Sequence, residues 1–102
     1  MNIFEYARIY LFWFLGETYF RSQRGELCSD DGYLAVNDIE TCKAATLTLN
    51  SNSNYKFENA VNFDNLPKGC YLFQYQTVYF NHHSTGSKND RANQICKPGG
   101  NG

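Results

Sequence analysis

Four cysteines in a chain of 102 residues, at positions 28, 42, 70 and 96, constrain this fold more than any other feature. The count is even, the spacings are wide and no C-x-x-C pair occurs. Zinc-ribbon and thioredoxin-like arrangements therefore lack the spacing their chemistry needs. A domain of this size buries only a limited core. Well-separated cysteines in such a domain read as two disulfides formed in an oxidising compartment, which points to a secreted, extracellular protein. The plainer alternative is four reduced, buried thiols, since free cysteine is among the most buried residue types. Three pairings are open.

The chain has room for one domain and at most an appendage. Hydrophobic residues make up 42% and aromatics 17%, enough for a small core and too much for a disordered chain. The formal net charge is −1, and lysine and arginine occur singly. Nucleic-acid binding needs a basic face to neutralise phosphates, so nucleic acid is excluded as a partner.

Two parts of the chain differ in character. Between Ile3 and Phe20 lie Phe4, Tyr6, Tyr10, Phe12, Trp13, Phe14, Tyr19 and Phe20, eight of the seventeen aromatic residues. The remainder is polar and rich in asparagine. This shift divides the chain into a hydrophobic segment over 1–24, a domain over 25–98 and a glycine-rich tail over 99–102. Within the domain, Gly32–Val36 suits a short strand. Asn37 and Glu40 stand at capping-box spacing, and Ile39, Cys42, Ala45 and Leu49 recur near helical intervals, so a helix is expected over about 38–48. Residues 55–63 suit either a strand or an irregular loop, and Asn50–Asn54 suits a solvated loop. Pro67-Lys68-Gly69 signals a turn. Cys70–Gln74 and Thr77–Asn81 form a candidate hairpin around Tyr75-Gln76. His82–Asp90 is turn-rich, and Arg91–Cys96 suits a last helical turn. The expected fold class is α+β: a small disulfide-stapled domain with one helix on a short antiparallel sheet.

The order of Cys42-Lys43-Ala44-Ala45, Pro67, Gly69-Cys70-Tyr71, Val78-Tyr79-Phe80-Asn81, Thr85-Gly86-Ser87 and Ile95-Cys96-Lys97 resembles a cysteine-containing domain of extracellular proteins of microalgae and other protists. The resemblance spans roughly residues 28–97 and carries no activity. It implies secretion, a disulfide-held fold, and pairing of Cys42 with Cys70 and of Cys28 with Cys96. That pairing is also physically sensible. The first bond would clamp the helix to the hairpin, and the second would tie the domain's two ends.

Signatures of catalysis are missing: there is no nucleophile elbow, P-loop, H-E-x-x-H or dinucleotide fingerprint. No enzyme activity, cofactor or metal is expected. His82-His83 could bind a metal or sugar, but adjacent strand residues point to opposite faces, and an exposed loop is the simpler reading. Asp30-Asp31-Gly32 could offer oxygens to calcium, yet it lacks the spaced acids of an EF-hand and suits a solvated turn. Tyr71, Tyr75 and Tyr79, with Asn81, Gln74 and Gln76, could form a face for glycans, combining flat apolar rings with directional amides. Against this, tyrosine is simply a good strand former. No N-x-S/T sequon occurs.

Residues 3–20 need their own account. Ile9–Leu15 has the length of a signal-peptide core, but Glu5 interrupts the basic start and no small-x-small site follows. Glu5, Arg8 and Glu17 leave too short an apolar run to span a membrane. Read as a strand, the segment shows Phe4, Tyr6, Tyr10, Phe12 and Phe14 on one face and Ile3, Ala7, Ile9, Leu11, Trp13 and Leu15 on the other. Read as a helix, it is apolar nearly all round. Such an element must be covered on every side, and a domain this small covers one. The expectation is that other copies of the chain cover the rest. Ile3, Phe4, Tyr6, Ile9, Tyr10, Leu11, Phe12, Trp13, Phe14 and Leu15 would then be assembly residues. This layout, a greasy N-terminus before a disulfide-bonded head, resembles that of pilin-type subunits. The leading expectation is thus a structural subunit of an extracellular filament or homo-polymer. The alternative is a secreted carbohydrate-binding or adhesion module.

Overall fold

Apolar and aromatic runs on either side of Gln74–Gln76, Cys70–Phe73 before it and Thr77–Phe80 after it, build the hairpin at the centre of the molecule. The computed structural model describes residues 18–50 and 54–99. The assembly residues expected between Ile3 and Leu15, most of the 50–54 loop and the last tail residues lie outside the described part. In chain order the strands are β1 (Phe20–Arg21), β2 (Leu34–Ala35), β3 (Lys56–Val61), β4 (Pro67–Phe73), β5 (Thr77–Gly86) and β6 (Ala92–Lys97). A 3-10 helix covers Cys28–Asp31, and one α-helix, α1, covers Ile39–Leu49.

In the hairpin Cys70 faces Phe80, Tyr71 faces Tyr79 and Leu72 faces Val78. The sheet order is β1-β6-β4-β5-β3, with β2 also on β6. Fold class is as expected, α+β with one helix on one sheet, but the sheet is mixed. β3 pairs with β5 in parallel, Phe57 opposite Val78 and Val61 opposite Asn81. The cause is topological: β5 lies between β3 and β4, so the chain must cross the end of β5 and return antiparallel to it.

The helical turn expected over Arg91–Cys96 is instead strand β6, which sits inside the sheet between β1 and β4. Alanine, glutamine and asparagine do not demand a strand. Here Ala92 through Cys96 are all buried, and Tyr71 pairs with Gln94, Leu72 with Asn93 and Phe73 with Ala92. Ladder hydrogen bonds and burial outweigh local preference. The turn-rich stretch after Asn81 likewise continues β5 to Gly86. Composition places residues 19–24 with the N-terminal segment, yet they join the domain. Phe20 pairs with Cys96, and the Ser22 amide donates to the Gln94 carbonyl at 2.8 Å.

Helix α1 begins one residue later than the capping-box spacing suggests. Asp38, not Asn37, is the N-cap, its carboxylate accepting from the Thr41 amide at 2.9 Å. The helix buries Cys42, Ala45 and Thr46 against the sheet. Val36, Cys42, Ala45, Cys70, Leu72, Val78, Phe80 and Ile95 make the core cluster, none more than 5% exposed. Gly69 lets two chain segments touch: its φ is +78°, and a side-chain carbon there would stand 2.4 Å from the Val36 carbonyl oxygen. No side chain fits so close an approach. In its place the Cys70 amide donates to that carbonyl at 3.0 Å.

Both disulfides form, Cys42–Cys70 and Cys28–Cys96. Strand alternation puts them on opposite faces of the sheet. Cys70 lies on the core face beside Leu72, while Cys96 shares the other face with Gln94 and Tyr71. One bond holds α1; the other holds the 3-10 helix. Loop closure makes them worth about 3.5 and about 4.5 kcal/mol in the ideal entropic case.

Candidate binding surface

The face of the sheet opposite α1 carries Tyr71, Phe73 and Tyr79 of the hairpin. Tyr71 and Tyr79, directly across the ladder, stack with ring centroids 5.6 Å apart and planes 25° from parallel. Phe73 meets Tyr71 edge-on at 6.5 Å. With Val61, Phe63 and Leu66 these rings line an open apolar groove of about 230 Å³. Tyr71 forms its floor at 2% exposure, and Phe63 stands at the rim at 50%. Burial, with the Tyr79 hydroxyl adding, pushes the Tyr71 hydroxyl well above the usual tyrosine range.

Asn81 shapes the groove from beneath. Its side chain is 1% exposed and entirely committed to backbone. Nδ2 donates to the carbonyls of Phe63 at 2.8 Å, Leu66 at 3.1 Å and Pro67 at 3.0 Å. Oδ1 accepts from the Phe63 amide at 2.9 Å and from the His83 amide at 3.3 Å. The connection from β3 to β4, which carries Phe63 and Leu66, is thus pinned by one amide. Asn81 is a structural hub, not an amide offered to a ligand.

Tyr75 belongs to a different surface. It occupies the hairpin tip, 47% exposed, where Gln74 and Tyr75 take φ values of +53° and +59°. The Gln76 amide closes this turn on the Phe73 carbonyl at 3.2 Å. Positive φ at both central residues is the signature of the mirror-image hairpin turn that matches strand twist. The guanidinium carbons of Arg21 and Arg24 lie 5.0 and 4.6 Å from the Tyr75 ring centroid. Of the four candidate glycan contacts, the structure therefore brings Tyr71 and Tyr79 together, sets Tyr75 apart and withdraws Asn81.

The remaining candidates are held by local contacts. The Asp30 carboxylate accepts from the Leu27 amide at 2.8 Å and pairs with Lys88 at 3.1 Å. Those contacts, the Leu27 amide first, hold its carboxyl below the ordinary aspartate range. The His83 Nδ1 accepts from the Gly86 amide at 2.9 Å, and the His82 ring meets Phe80 edge-on at 5.0 Å. Among the described residues no three His, Cys, Asp or Glu side chains are grouped to hold a metal ion. Also among the described residues, no helix is long and apolar enough to cross a membrane.

Sequence reasoning did not find Val61, Phe63 and Leu66 as groove walls, nor Arg21 and Arg24 as neighbours of Tyr75. The groove comes from the parallel β3 edge, and the arginines reach the hairpin tip from the segment beginning at β1. Neither adjacency leaves a periodic mark. Searches against family models, curated proteins and solved structures find no match to this chain.

Proposed function

We propose that this protein is a structural subunit of an extracellular homo-polymer, in which residues 3–15 of one copy pack against the domain of the next. One pairing of features carries this reading. The chain has an N-terminal segment apolar on both faces, and its folded domain presents an open aromatic groove lined by Phe63, Leu66, Tyr71, Phe73 and Tyr79. Each aromatic side chain fully buried contributes on the order of 2 kcal/mol before ordering costs. A few such side chains seated on a neighbour are ample for association. A terminal segment docking into the next copy is a head-to-tail contact, which propagates into rings or open filaments. Two disulfides in so small a domain are compatible with an extracellular location.

Removing residues 1–17 tests the donor, because it spares Ser22 and its hydrogen bonds to β6. Phe63→Asp tests the acceptor at an exposed rim position. Both variants are expected to keep the domain's near-ultraviolet circular dichroism and to sediment as monomers. Polymers formed by the truncated protein would end the proposal. Polymers formed by Phe63→Asp alone would remove the groove from it.

A second role on the same subunit, contact with saccharides, is favoured by the hairpin tip. There an exposed ring, three amide side chains and two guanidiniums converge.

A further inference from the structure

We propose that the tip of the β4–β5 hairpin binds an acidic saccharide, a sugar chain bearing carboxylate or sulfate-ester groups. Arg21 and Arg24 would be its anion contacts. The inference rests on the saccharide reading above and adds the ligand's charge and the residues that select it.

Four observations converge. First, both guanidiniums lie within 5.0 Å of one ring centroid, so a single tyrosine, Tyr75, gathers two planar cations at the hairpin tip. A guanidinium so placed presents its donor fork with less freedom left to lose, the geometry that suits carboxylate and sulfate oxygens. Second, among the described residues neither guanidinium is in an ion pair; the pairs there are Lys43–Glu40 and Lys88–Asp30. Both arginines are exposed. Third, Arg21, Asn54, Tyr55, Gln74, Tyr75 and Gln76 line an open cavity of about 540 Å³. Amides both donate and accept, as paired sugar hydroxyls require. Fourth, Gln74 and Tyr75 both adopt left-handed backbone at a turn where Asn-Gly would sit without strain. Non-glycine residues in such conformations cluster at ligand-binding and active sites.

The ring's role here is to orient cations, with the sugar held by its charge and hydroxyls. The chain's net charge of −1 argues against a general polyanion receptor such as one for nucleic acid.

The test titrates the full-length protein with an oligogalacturonate, a sulfated galactan oligosaccharide, the neutral galactan oligosaccharide and a single-stranded oligothymidylate of matching charge. At least one acidic saccharide is expected to bind about tenfold or more tightly than the neutral one, and to weaken with added salt. The double variant Arg21→Gln/Arg24→Gln, at exposed positions, should lose about tenfold or more in affinity for that acidic saccharide, with its circular dichroism unchanged. Equal binding of neutral and acidic sugars, unaffected by the double variant, would overturn the charge assignment and leave the saccharide reading standing. No saccharide binding at millimolar concentration would overturn both. Oligothymidylate binding as tight as that of the acidic sugars would overturn saccharide selectivity.

Discussion

Replacing Asn81 with aspartate exchanges one NH2 for one oxygen and changes the volume hardly at all. In the native protein the two N–H groups of that NH2 serve three carbonyls, one of them shared: those of Phe63, Leu66 and Pro67, at 2.8, 3.1 and 3.0 Å. In Asn81→Asp an acceptor would face those three acceptors in a site 1% exposed. A typical hydrogen bond contributes about 0.5–1.5 kcal/mol net, and a buried group left unsatisfied costs about 1–3 kcal/mol. The substitution should therefore destabilise by roughly 3–6 kcal/mol. A domain is held by only about 5–15 kcal/mol. The loss should also depend on pH. Burial among carbonyl oxygens disfavours the carboxylate, so the new carboxyl titrates higher in the folded protein than in the unfolded chain. A raised folded value means that its contribution is best retained below the unfolded value of about 3.9 and lost as pH rises through the folded value. Urea unfolding of both proteins at pH 4 and pH 7, followed by near-ultraviolet circular dichroism, measures the difference. A wild-type midpoint for Asn81→Asp at pH 7, or a deficit larger at pH 4 than at pH 7, would refute the hub role.

Three further outcomes follow from the same geometry. Removing Cys42–Cys70 by paired alanines should lower unfolding free energy by up to about 3.5 kcal/mol, and removing Cys28–Cys96 by up to about 4.5 kcal/mol, both read from urea midpoints. Gln74→Gly should raise stability by about 1 kcal/mol in thermal melts, because it relieves a φ of +53° and leaves Tyr75 and its arginines in place. Asp38→Ala should cost about 1 kcal/mol at neutral pH through loss of the helix cap. Hydrogen bonds from Thr41 lower the Asp38 carboxyl. The Asp38 contribution is therefore present above the unfolded value of about 3.9 and disappears as pH falls through the lowered folded value, which urea midpoints measured down to pH 2 would show.

Much of this fold was legible in the sequence wherever a local pattern has one physical meaning. Cys42, Ala45 and Leu49 recur at helical spacing, and α1 forms there. The runs flanking Gln74–Gln76 are apolar and rich in aromatic residues, with Thr77 and Val78 opening the second, and the hairpin forms there. Legibility ends where placement depends on distant partners. Residues 92–96 contain good helix formers and become a central strand because the sheet surrounds them on both sides. Residues 56–61 become a parallel edge because β5 lies between them and the strand that follows in sequence. At the candidate surfaces, tyrosine content pointed to the hairpin but could not separate its members. Alternation sends Tyr71 and Tyr79 to the groove, while the turn carries Tyr75 to the tip. Asn81 looked like a ligand amide, and nothing local signals that Phe63, eighteen residues earlier, uses it as a backbone partner.

Everything proposed about assembly depends on apolar side chains before Thr18 being covered by other copies of the chain. Sedimentation velocity on the full-length protein, across a range of concentrations at neutral pH, reads this directly. Species well above the 11.7 kDa protomer mass, growing as concentration rises, are the expected result. A single 11.7 kDa species at every concentration would contradict it.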